Sequence, residues 1–157
     1  MPNLRKISVT WNGLLPELSG LVAQWKPPKL KSEIAYRNHL FGYVRQAVPD
    51  DIQLEKEYRD RGTTMDLWLR WKGHFVSEEL AFELKVNLKR KADCDRLIGQ
   101  IEDLNPRENL ILLVLIGETD HALLGRLREK YAEQIKPSVG FDAKLSIVQI
   151  APSEEAP

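Results

Sequence analysis

The chain has 157 residues, 43% hydrophobic and 29% charged, enough for one domain with its own core and unlike a disordered or collagenous composition. Its longest apolar run, Leu110 to Gly117, falls far short of the roughly 20 residues a bilayer crossing needs. Arg5 and Lys6 lead into no signal-peptide core, so a cytoplasmic protein is expected. The 23 basic residues are matched by 23 acidic ones, which argues against coating nucleic acid through bulk charge but leaves room for local patches.

Leu14, Leu18, Leu21, Val22 and Trp25 recur at helical spacing and predict an amphipathic helix that Pro27 and Pro28 stop. Ser32 is the expected N-cap of a second helix reaching Ala47, with Ile34, Ala35, Leu40, Phe41 and Val44 on its apolar face and Pro49 closing it. From Ile52 the period becomes two. Ile52, Leu54 and Tyr58 alternate with polar neighbours as in a half-buried strand, and Arg59 to Gly62 reads as a turn. A second strand is predicted from Thr64 to Trp71, a break at Lys72-Gly73, and a third strand from Glu79 to Val86. These three form a meander.

A helix follows from Ala92 to Leu104, carrying Leu97, Ile98, Ile101 and Leu104 and ending at Asn105-Pro106. Leu110 to Ile116 is a continuous apolar run, as in a strand covered on both faces. Thr119 is the expected cap of a helix to Gln134, and Lys144 to Ile150 the last strand. The fold class is α/β: a mixed sheet flanked by helices in the order αβββαβαβ, after one extra N-terminal helix. It is expected as a single domain over 1–150, with its core at 32–150 and a loose tail at 151–157.

One cysteine, Cys94, and three scattered histidines, His39, His74 and His121, provide no zinc-type spacing. A metal here would be a hard cation on oxygen. The third strand offers such oxygen. Glu83 and Lys85 share the face opposite Phe82, Leu84 and Val86, near the strand's C-terminal end. Asp66 lies near the start of the preceding strand, so antiparallel pairing can bring it beside them. Two neighbouring carboxylates repel unless a cation sits between them, and magnesium or manganese suits oxygen ligands. The bland reading of an isolated Glu-X-Lys is a surface ion pair, and alone the tripeptide says little.

Its surroundings say more. Asp66 in GTTMDLWLRW, Glu83 and Lys85 in AFELKV, Gln100 in DRLIGQIEDL and the strand LILLVLI follow one another in that order. The segment from Glu33 to Ile116 thereby resembles the PD-(D/E)XK nuclease superfamily, which includes restriction endonucleases and Holliday-junction resolvases. Met65 stands where the family's name has proline. The resemblance implies a restriction-endonuclease-like fold and a Mg2+ or Mn2+ site made by Asp66, Glu83 and the Leu84 carbonyl, with Glu33 joining from its helix. It further implies that Lys85 assists water attack and that Gln100 holds the lysine or a water.

Each supporting residue also has an ordinary reading. Glu33 in a first helical turn is favoured by the dipole anyway. Gln100 can belong to a polar face, and Trp68 and Trp71 are more often core than stacking platforms. Lys89, Arg90 and Lys91 form a basic run beyond the third strand, where a phosphate backbone would pass, or else a solvated face; Lys26, Lys29 and Lys31 form a second. Tyr36 and Arg37 have no support in the sequence as nucleic-acid contacts. The expected function is phosphodiester hydrolysis, in DNA, by a homodimer if both strands are cut. The alternatives are a non-catalytic nucleic-acid-binding or assembly module on the same fold, and a plain interaction domain.

Overall fold

The computed structural model describes residues 13–60, 62–73, 77–136 and 143–154. In chain order the elements are α1 (Leu14–Ala23), α2 (Glu33–Ala47), β1 (Gln53–Asp60), β2 (Thr63–Lys72), β3 (Ser77–Val86), α3 (Lys91–Leu104), β4 (Leu110–Ile116), α4 (His121–Lys130), α5 (Ala132–Ile135) and β5 (Leu145–Ile150). The strands form one sheet in the order β1-β2-β3-β4-β5. β1, β2 and β3 pair antiparallel, as hairpin-length links allow; β3, β4 and β5 pair parallel, because α3 and α4 carry the chain back between them.

Helices cover both faces of this mixed sheet. Strand alternation sends Leu80, Phe82 and Leu84 of β3, and Leu112, Val114 and Ile116 of β4, into a cluster with Leu14, Leu18 and Val22 of α1 and Leu40 and Val44 of α2. The opposite set, Ala81, Ile111, Leu113 and Leu115, packs against Cys94, Leu97 and Ile101 of α3 and Leu124 and Leu127 of α4. Both faces of β4 are buried, which is why its sequence is apolar throughout. Full burial of each such side chain stabilises by roughly 1.5–3 kcal/mol.

Several boundaries differ from the sequence expectation. α1 ends at Ala23, not Trp25, since the residue before Pro27 is steered away from helix. Gln24 and Trp25 close the end, their backbone amides donating hydrogen bonds to the Leu21 and Val22 carbonyls. In α2, Ser32 caps as expected, its side chain accepting from the Ala35 amide, but Ile34 is 59% exposed and not in the core. Tyr36, Leu40, Val44 and Ala47 make the buried stripe instead, because the Tyr36 hydroxyl finds a partner in the Leu30 amide at 3.0 Å. Arg59 and Asp60 belong to β1, paired with Thr64 and Thr63. That leaves a two-residue connection, in which Gly62 (φ 81) meets the need for positive φ; Arg61, like His74, lies outside the described residues.

Thr119 is not the cap of α4. Asp120 is, its Oδ1 accepting from the Leu123 amide at 3.0 Å, since a carboxylate one residue nearer the first turn meets that donor directly. Replacing Asp120 by alanine is expected to cost about 1 kcal/mol in denaturant unfolding, against near-neutrality for Thr119→Ala. The predicted single helix to Gln134 is broken at Tyr131, whose side chain is 1% exposed and bonds Glu102 through its hydroxyl. The segment after β5 is held at Ser153, whose amide donates to the Pro27 carbonyl at 2.8 Å; residues 155–157 lie outside the described set. Among the described residues no helix is long and apolar enough to cross a membrane.

Candidate active site

The sheet forks at one place. Pairing of β2 with β3 ends at Leu67↔Phe82, while β3 continues beside β4 as far as Val86↔Ile116 and β2 continues beside β1 as far as Thr63↔Asp60. The last four residues of β3 therefore have no ladder partner on the β2 side, and the two amides that face that side, of Leu84 and Val86, must be met otherwise. Two carboxylates meet them. Asp66 Oδ2 accepts from the Leu84 amide at 2.8 Å, and Glu33 Oε2, from the first turn of α2, accepts from the Val86 amide at 3.4 Å. In an extended strand a residue's N–H and C=O point to the same side, so the Leu84 carbonyl also faces the fork.

Between these caps stands Glu83. It is 4% exposed, the one buried charged residue among those described, and its Oε1 has no hydrogen-bond partner among the described residues. Burial above all pushes its carboxyl up to about 9; the Asp66 charge, a hydrogen bond to Asp66 and the Glu33 charge add to this, and Lys85 opposes it. Protonated Glu83 is the natural donor in that bond, because Asp66 is lowered by the same contact. Asp66 is nonetheless raised on balance, by burial, against the pull of the Leu84 amide, Glu83, Arg37 and Lys85. Glu33 is raised as well, again by burial, with Lys85 the strongest opposing influence. The three carboxylates and the Lys85 ammonium thus act on one another directly. The surface ion pair that an isolated Glu-X-Lys suggests does not describe Glu83.

The fork brings together Asp66, Glu83, Lys85, Glu33 and the Leu84 backbone. It does not bring in Gln100, which is exposed on α3 and, among the described residues, bonds none of the cluster. Lys89, Arg90 and Lys91 follow β3 as an exposed run; Lys89 pairs with Glu118 and Arg90 with Asp93. Lys89 also lines a groove of about 470 Å³ with Lys29, Tyr36, Val86 and Gly117, so this groove adjoins the fork through Val86. Trp68 is 4% exposed and stacked on Tyr58 at 4.1 Å, and Trp71 is packed against the core; both serve packing.

Two residues at the fork lie outside the site set chosen from sequence, where Arg37 is weighed only as a nucleic-acid contact and finds no support. Arg37 acts electrostatically on Glu33 and Asp66, and its Nη1 lies 3.0 Å from Glu57 Oε1. The signal for Arg37 was its place one helical turn after Glu33; Glu57 left none, because its importance lies in a backbone irregularity. Among the described residues no group of three or more His, Cys, Asp or Glu is arranged so that it could hold a metal ion. No protein-family model, curated protein or solved structure matches the chain.

Proposed function

We propose that the chain is a metal-dependent nuclease of restriction-endonuclease-like fold that hydrolyses phosphodiester bonds, in DNA. The observation that carries this reading is Glu83: a carboxyl buried at a fork in the sheet, one oxygen without a partner, faced by Asp66, Glu33 and Lys85. A purely structural site of this burial would more cheaply hold an apolar residue. The orphaned oxygen and its acidic neighbours fit a hard divalent cation.

Asp66, Glu83 and the Leu84 carbonyl would hold Mg2+ or Mn2+, with Glu33 assisting; such ions keep several waters and need no closed cage of side chains. When bound, the ion polarises a phosphoryl oxygen and lowers the pKa of a coordinated water. Lys85 orients or deprotonates the attacking water and offsets charge developing on the phosphate. Gln100 enters only if a water links it to this cluster. Lys89, Arg90 and Lys91 would meet the phosphate backbone, and two copies would be needed to cut both strands.

A second reading has its own support. Asp66 and Glu33 already spend one oxygen each on strand amides, as edge caps of a non-catalytic nucleic-acid-binding or assembly module would. Metal binding separates the two readings. On the nuclease reading, Mn2+ raises the melting temperature of the wild type and not of Glu83→Ala. Supercoiled, linear or branched DNA is cut with Mg2+ or Mn2+, and Lys85→Ala silences the cutting. A wild type indifferent to both ions removes the nuclease reading and leaves the module.

A further inference from the structure

We infer that Arg37 is a phosphate-binding residue of the fork, held in reserve by its exchangeable partner Glu57. This rests on the proposed hydrolysis at the same fork, and it concerns how the anionic substrate is met there.

Arg37 follows Glu33 by one turn of α2, so the two side chains leave the helix on one face. Its charge acts on both Glu33 and Asp66. The side chain is only 11% exposed, a degree of burial that arginine tolerates when its donors are met. They are not all met: Nη1 reaches Glu57 at 3.0 Å, while Nε is buried and has no partner among the described residues. Arg37 keeps a desolvated cation turned to an acidic cluster with a donor unspent.

Glu57 is irregular for its position. The register places it opposite Asp66, between the pairs Lys56↔Leu67 and Tyr58↔Met65, yet that one pair is missing from the ladder. Its φ is 52, within a strand and on a residue that is not glycine. Backbone strain of this kind persists where the surroundings require it, most often at functional sites. Glu57 is 61% exposed, so its pairing with Arg37 is open to water and readily exchanged.

The chemistry of the fork needs such a cation. Three acidic groups, Asp66, Glu83 and Glu33, face an incoming phosphodiester, with Lys85 of β3 as the cation among them. A guanidinium matches two oxygens of a phosphate as it matches two of a carboxylate. Glu57 is then the placeholder: a carboxylate on the guanidinium until a phosphate replaces it.

The test is equilibrium binding of a short fluorescent DNA duplex, without metal and over a salt series, to the wild type, Arg37→Lys, Arg37→Ala and Glu57→Gln. Arg37→Ala is expected to weaken binding by about tenfold to a hundredfold and to reduce the slope of log K against log salt by about 1. Arg37→Lys keeps the slope and loses part of the affinity. Glu57→Gln binds more tightly than wild type, because the competing carboxylate is gone, a change of sign that a structural strut would not produce. If Glu57→Gln weakens binding, or Arg37→Ala leaves the slope intact, or the wild type binds no duplex, the inference is overturned. Cutting assays on the same proteins keep the two ideas apart. A wild type that binds with this pattern but never cuts overturns the hydrolase while Arg37 stands; one that cuts with an Arg37-independent slope does the reverse.

Discussion

Glu83→Gln is expected to lower metal-dependent cleavage by about a thousandfold or more while making the metal-free protein more stable near pH 8. Both effects have one cause. Glu83 is buried among acidic groups and holds its proton up to about 9, so near pH 8 the folded chain must keep a proton that the unfolded chain has released. Glutamine has nearly the same shape, is permanently neutral, and can donate to Asp66 as the protonated acid does. It removes the cost of that proton, on the order of a few kcal/mol. It also removes the charge a divalent cation needs. Denaturant unfolding read beside cleavage of supercoiled DNA measures both. A glutamine variant that cuts normally would show that the carboxylate is not spent on metal, and one less stable than wild type near pH 8 would show that Glu83 does not carry its proton there in the folded chain.

The stability of the metal-free wild type should fall as pH rises from about 5 to about 9. Below its ordinary value of 4.5 the Glu83 carboxyl is protonated in both states and contributes nothing to the difference. Above that value the unfolded chain loses the proton and the folded chain keeps it, until the pH passes about 9. Over this window stability declines by about 1.4 kcal/mol per pH unit for one fully shifted group, several kcal/mol across the range as an upper bound. Asp66 and Glu33, both raised by burial, act in the same direction. Manganese should oppose the decline, because its ligands must be deprotonated, so its stabilising effect grows with pH. Unfolding curves near pH 5 and near pH 8, with and without Mn2+ and repeated on Glu83→Gln, decide the matter. A metal-free stability that rises over this interval in wild type and variant alike would remove Glu83 as its source.

Much of the molecule was legible because its sequence periods are strong. β4 announces burial on both faces by being apolar from end to end, and it is covered by α1 on one side and by α3 and α4 on the other. β3 separates Phe82 and Leu84 from Glu83 and Lys85 by simple alternation, and the structure keeps that separation. Short-range chemistry was harder to read. Asp120 and Thr119 are both good caps, and only the path into α4 selects between them. Ile34 looks like core by residue type, yet it lies off the stripe that Tyr36, Leu40 and Val44 define.

The sequence by itself determined which residue types face which side of each element, and so put one acidic and one basic group together on β3 with an aspartate one strand away. That follows from local geometry, since strand and helix periods are properties of the backbone. Only the tertiary structure decided that β2 leaves β3 at Asp66, that Glu33 crosses from α2 to the Val86 amide, and that Arg37 comes beside them. Those are long-range events. They depend on where a ladder stops and on which layer covers the gap, and no spacing along the chain records either.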